Sequence, residues 1–329
     1  MLDELNKNRI DDKKPRREGL TCIIDKLQSL DKDSLEALAP FIDIVKIYGA
    51  IPLLVSEAVL EKKIKFYHDF GMFVSIGSIV TEYCILENSF DKLVKEATKS
   101  GFDILEIGEN TIEMSTEQRK NIIDTMLSEE NLNFQWKVGK KDPRHQLTAE
   151  EMLSKIDDAL KIGSYKIVIE ANKGISAGIY DEKGLVKWNL VGAVTSKYPP
   201  STFIFEAPME YQQSALLAEF GQRVNLSEIN PDAIMSVESQ RRGFLSKATF
   251  EVSYLRQDPK GSPAAKFIYY IIRTRYPIDQ GELMRLSRLP RRTIQNVIDD
   301  LKNQGVILER NSLDDARKKI YTPVRSDWL

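Results

Sequence analysis

Short apolar runs rich in β-branched residues recur along the first 250 residues, each followed by a longer stretch whose apolar positions return every three or four residues. The short runs, at 20–25, 42–47, 72–76, 103–107, 134–138, 166–170, 202–206 and 223–226, read as strands. The longer stretches, at 53–70, 89–100, 116–128, 148–162 and 210–220, read as amphipathic helices. Ser115 and Thr148 stand where a side-chain oxygen can satisfy the orphan amides of a helix start. Gly71, Gly101, Gly163 and Gly221 stand where helices stop. Eight strand–helix alternations predict an α/β fold, a (β/α)8 TIM-type barrel, with an open doubly wound sheet as the alternative.

Beyond Tyr254 the pattern changes. The segment DPKGSP (258–263) reads as a linker by composition. An apolar helix (264–275), Pro277, a short helix (280–287) and a longer helix (291–304) follow. Gly305 stops the last of these, and two strands (306–309 and 320–324) flank a charged tip. That is the order of a winged helix-turn-helix. The expected domains are a charged, solvated N-terminal arm (1–17), the barrel (18–257), the linker and a small winged-helix domain (264–329).

Charge sharpens the division. From residue 260 onward 14 lysines and arginines face 8 aspartates and glutamates, whereas the rest of the chain is acidic. A basic module attached to an acidic body points to different partners, with a polyanion for the module. Its third helix opens with Arg291 and Arg292 after Arg288, and presents Gln295 and Asn296 on the next turn. Arginine reads guanine, and Gln or Asn reads adenine, by paired hydrogen bonds. Arg317, Lys318 and Lys319 lie in the wing, where backbone or minor-groove contact is usual. Duplex DNA is therefore an expected partner; a protein-interaction module is the bland alternative. Two cysteines, Cys22 and Cys84, exclude a disulfide framework and suit a reducing cytoplasm. No apolar stretch approaches the roughly 20 residues that span a bilayer. A homo-oligomer stays open.

In a parallel barrel the carboxyl ends of the strands build one shared mouth. The strands predicted here close on Asp25-Lys26, Lys46, Glu106, Lys137, Glu170, Glu206 and Asn225. Such groups would be costly in a core, so their repetition points to a site.

The pieces GLTCIIDK (19–26), FIDIVK (41–46), VGKK (138–141) before QLTAEE, VIEA (168–171), FIFEAP (203–208), FGxxVNL (220–226) and VESxRRG (237–243) occur in an order and spacing that resembles the phosphosulfolactate synthases. The resemblance implies Mg2+-dependent addition of sulfite to phosphoenolpyruvate. It implies metal ligation by Glu106, Glu170 and Glu206, and Lys140 or Lys141 as acid or electrostatic stabiliser, with Lys26 and Lys46 beside them. Asp25, Lys137, Asn225, Arg241, Arg242 and Gly243 are the implied holders of the phosphorylated anion. The pattern departs from the family at Lys137, where an acidic residue is usual, and at Asn172 and Lys173, where an arginine and a glutamate are usual. A second functional reading follows, in which the barrel senses a small anion and the winged helix regulates on DNA.

Overall fold

The computed structural model describes residues 14–27, 31–171, 177–242, 244, 259–275, 277–311 and 318–324. Asn172, Lys173, Gly243 and Arg317 lie outside them. The described residues fall into two compact units: those up to Leu185 with Pro199–Arg242, and Val186–Tyr198 with those beyond Gly243.

The first unit is a closed parallel barrel, so the open-sheet alternative is excluded. Its strands are β1 (Thr21–Asp25), β2 (Ile44–Ile47), β3 (Phe73–Ile76), β4 (Ile104–Gly108), β5 (Asn133–Val138), β6 (Ile167–Ile169), β7 (Phe203–Glu206) and β8 (Asn225–Ile229). Each pairs with the next, and β8 returns to β1. Around them run α1 (Lys32–Leu38), α2 (Ile51–Leu54), α3 (Glu57–His68), α4 (Ser78–Leu86), α5 (Phe90–Ser100), α6 (Thr116–Ser128), α7 (Ala149–Lys161), α9 (Glu210–Phe220) and α10 (Ile234–Arg241). The intervening α8 (Trp188–Thr195) belongs to the second unit. Ser115 and Thr148 cap α6 and α7 through capping boxes, as their sequences predict. The single helix expected at 53–70 is two, because Val55 is extended and Ser56 restarts the chain as α3.

Strand periodicity builds the site's floor. Ile44, Ile104, Val168 and Ile204 pack together with Leu20 and Cys22 inside the barrel. Two residues further along the same strands, hence on the same face, stand Lys46, Glu106, Glu170 and Glu206. An apolar layer thus lies directly beneath a charged one. Both cysteines are buried and unpaired.

At the opposite end Lys14 donates to the Ala39 and Ile42 carbonyls, and Arg16 pairs with Asp43 at 2.9 Å. These residues of the expected solvated arm are therefore docked, because their cations meet backbone carbonyls and a buried carboxylate.

The second unit contains α11 (Pro263–Arg275), β9 (Ile278–Asp279), α12 (Gln280–Ser287), α13 (Arg291–Asn303), β10 (Ile307–Asn311) and β11 (Lys319–Pro323). The strands form an antiparallel sheet in the order β10-β11-β9. Ile268, Ile272, Leu283, Ile294, Ile298, Leu301 and Tyr321 make its own core. No helix among the described residues is long and apolar enough to cross a membrane.

Candidate active site

A cavity of about 160 Å³ opens at the carboxyl ends of the barrel strands, lined by four lysines (Lys26, Lys46, Lys137, Lys141) and four glutamates (Glu106, Glu170, Glu206, Glu228). Two of the lysines are buried among the carboxylates. Lys46 Nζ lies 3.0 Å from Glu106, 3.4 Å from Glu206 and 2.8 Å from Glu228. Lys137 Nζ lies 2.7 Å from Glu206, 2.9 Å from Glu170 and 3.6 Å from Glu106. Backbone amides complete the set, Ser78 N–H donating to Glu106 at 3.1 Å and Ala171 N–H to Glu206 at 2.8 Å.

The titrations differ within this cluster. Burial favours the neutral form of Glu106, but Lys46 and Lys137 beside it prevail and hold its carboxyl down at about 2. The same balance lowers Glu228. At Glu170 burial wins: with Glu206 adding repulsion, its carboxyl is pushed up to about 8 despite Lys137 and Lys141. Its Oε1 is buried without a hydrogen-bond partner. Lys46 and Lys137 stay charged, because the surrounding carboxylates outweigh their burial. With Glu170 protonated near neutrality, the lining carries one net positive charge. That suits a small anion and leaves one proton to give.

Two glycines allow Glu170 its place. Gly139 has φ +142, and a Cβ there would stand 2.3 Å from Glu170 Cβ. Gly178 has φ +58, and a Cβ there would stand 1.9 Å from the Glu170 carbonyl oxygen. Gly139→Ala is expected to destabilise the barrel by about 1–3 kcal/mol and to displace Glu170. Thermal denaturation checks this, and an unchanged midpoint would contradict the packing described.

The family described as (2R)-phospho-3-sulfolactate synthase (ComA) matches residues 10–247 of this chain. The chain belongs to this family. The phosphosulfolactate synthase of Methanocaldococcus jannaschii is 33% identical over 230 residues, covering 68% of this chain and 91% of that protein. That of Methanothermobacter thermautotrophicus is 31% identical over 236 residues, covering 70% and 91%. That of Bacillus subtilis is 27% identical over 242 residues, covering 72% and 94%. The match ends before the second unit's helices α11 to α13 begin.

Of the residues that resemblance to the phosphosulfolactate synthases nominates, Lys26, Lys46, Lys137, Lys141, Glu106, Glu170 and Glu206 do meet in one cavity. Lys26 sits over the Tyr48 ring at the rim, 4.8 Å from its centroid. Others lie elsewhere. Lys140 turns away from the mouth to the Ile112 carbonyl, 3.1 Å, and to Glu113, 2.5 Å, because adjacent residues leave a strand end on opposite sides. Asp25 is buried but spends its oxygens on Leu27 N–H, the Tyr67 hydroxyl and Lys63, shaping the loop after β1.

Asn225 is not at the mouth. It begins β8, which runs two residues later than the apolar run suggests. There it accepts from Leu20 N–H and donates to the Ser201 and Phe203 carbonyls. Arg241 is buried at the same end, donating to the carbonyls of Gln222, Val224 and Leu20. Arg242 pairs with Glu238 at 2.6 Å and lies over Phe41. These three close the amino-terminal end of the barrel and do not line the cavity.

Sequence reading missed Glu228. The β1–β8 register gains one residue between Leu226 and Ile229, a bulge in which Glu228 takes φ +60. Bulges re-aim side chains, and strained backbone outside glycine concentrates at functional sites. Here the bulge turns Glu228 onto Lys46. A glutamate just past a short apolar run at the end of the last barrel strand was the available signal.

The resemblance implies Mg2+ among these carboxylates. Among the described residues, no group of three or more His, Cys, Asp or Glu is placed to share one ion. The three nominated glutamates instead surround the Lys137 ammonium. The residues as arranged do not fit a divalent ion.

Proposed function

We propose that the barrel mouth adds sulfite to phosphoenolpyruvate, or runs the same addition on a closely related small phosphorylated anion, as a cytoplasmic enzyme. The sulfur lone pair forms a bond to the methylene carbon. The π electrons of the double bond move toward the carboxylate, and a proton then joins the carbon beside that carboxylate. No other bond breaks, and the proton carried by bisulfite restores the acid. Lys26, Lys46, Lys137 and Lys141 supply positive charge for two anionic reactants and for the charge that builds on the carboxylate. The observation that carries this reading is Glu170, buried, held protonated near neutral pH and facing the cavity beside Lys137. Membership of the phosphosulfolactate synthase family supports it. The test is incubation of the full chain with phosphoenolpyruvate and sulfite, with product followed by mass spectrometry. A product whose mass is the sum of the two supports the reading, and its absence overturns it.

A second reading concerns the carboxyl-terminal unit, which we propose is a winged helix-turn-helix that binds duplex DNA. Arg291 and Arg292 in the first turn of α13, Arg288 before it and Asn296 are exposed and, among the described residues, make no ion pair or side-chain hydrogen bond. They are free to meet phosphate or bases. Gln295 is less available, since it already bonds Gln280 and Asp299. Lys318 and Lys319 pair with Asp279 and Glu309. Binding to a labelled duplex is expected to weaken with salt. Arg291→Ala with Arg292→Ala should lower the log–log salt slope by about 2. Binding without salt dependence, or an unchanged slope in the double variant, would count against it.

A further inference from the structure

The centre of the cavity is occupied by a cation that the chain itself supplies. Lys137 rises from β5 into a space bounded by Glu106 on β4, Glu170 just past β6 and Glu206 on β7, with its ammonium 2.7–3.6 Å from all three. These carboxylates have few other ammonium partners. Among the described residues Glu170 meets none besides Lys137 at salt-bridge distance, and Glu106 and Glu206 share Lys46 with Glu228. A divalent ion bound by the same oxygens would need them about 2.0–2.6 Å from one point. The ammonium already stands at the point where their approaches converge. It stays charged, since the carboxylates outweigh its burial.

We infer that the Lys137 ammonium is the built-in cation of this site and that the barrel binds no divalent metal among Glu106, Glu170 and Glu206. The ammonium fulfils part of what a divalent ion would do. It holds the three carboxylates in fixed orientation, and it presents positive charge to an incoming carboxylate or phosphate. It differs in two respects. A single charge polarises a ligand less than a double one. It also cannot be chelated away, so the site's charge is independent of metal supply. The role of Lys137 toward the anion rests on the addition proposed above, whereas ion binding is measured without any turnover.

The experiment is calorimetric titration of the metal-stripped full chain with MgCl2, and separately with MnCl2, for the wild type and for Lys137→Met. The wild type should give no saturable heat up to millimolar ion. Lys137→Met, which removes the charge and keeps the bulk, should bind at least about tenfold more tightly, because Glu106 and Glu206 lose one of their two ammonium partners and Glu170 loses the cation beside it. Saturable binding of one ion per chain in the wild type, lost in Glu106→Gln, would overturn the inference. Should Lys137→Met fail to fold, the wild-type titration decides alone. Where wild-type binding is absent and product still fails to form from phosphoenolpyruvate and sulfite, the reaction is wrong and the ion assignment stands.

Discussion

Lys46→Met is expected to lower the unfolding free energy of the barrel by about 3–5 kcal/mol, the usual loss when one partner of a buried ion pair is removed. Lys46 is 7% exposed and touches three carboxylates on three different strands, so its loss leaves Glu106, Glu206 and Glu228 facing one another with only Lys137 between them. For a barrel of this size that corresponds to a fall in melting temperature on the order of 10 °C. The check is thermal unfolding followed by circular dichroism, with Lys26→Met at the exposed rim as the comparison. Lys26 lies over Tyr48 in partial solvent, and its loss should change stability by no more than about 0.5 kcal/mol. Equal melting of Lys46→Met and the wild type would show that the buried cluster does not hold the strand ends together. The pH dependence carries the same signature from the acid side. Glu106 is held at about 2, below its unfolded value, so its stabilisation is present at neutral pH and is lost as pH falls toward 2.

Glu170→Gln is expected to leave the fold intact and to reduce turnover of phosphoenolpyruvate and sulfite by about two to four orders of magnitude. Glutamine keeps the shape and cannot give a proton. The wild-type rate should fall as pH rises through about 8, the range in which Glu170 ionises. Stability should move the opposite way from Glu106. Because the folded-state carboxyl is raised above its unfolded value, the folded chain keeps a proton that the unfolded chain loses. Stability from this group is therefore full below about pH 4.5 and declines as pH climbs to about 8. In Glu170→Gln that slope should flatten. A variant that turns over at the wild-type rate, or a wild-type rate that rises through pH 8, contradicts the assignment.

Most of the barrel was legible because its strands are short β-branched runs between capped helices, and because lysines and glutamates recur at their carboxyl ends. Period-2 alternation then accounts for how Ile44, Ile104, Val168 and Ile204 form a floor beneath Lys46, Glu106, Glu170 and Glu206. Four things were hidden. The helix α4, SIVTEYCIL, is buried on most of its surface and rich in β-branched residues, so it shows neither an amphipathic stripe nor a helical composition. The end of β8 carries Ser227 and Glu228, which interrupt the apolar run, so the strand was placed two residues early, Asn225 was assigned to the wrong end and Glu228 was passed over. Arg241 and Arg242 sit in a motif that resemblance singles out, but sequence spacing does not say at which end of a barrel the last helix finishes. The hydrogen bonds of Arg241 to Leu20, Gln222 and Val224 answer that. Lys140 and Lys141 could not be told apart for a similar reason, since neighbours at a strand end diverge and only the folded loop chooses between them.

The most direct measurement runs phosphoenolpyruvate and sulfite over the full chain in D2O and weighs the product after its exchangeable hydrogens are returned to water. A buried acid that delivers the proton to carbon predicts one retained deuterium on the carbon beside the carboxylate, formed by the wild type and not by Glu170→Gln. A product without carbon-bound deuterium, or no adduct at all, contradicts the account.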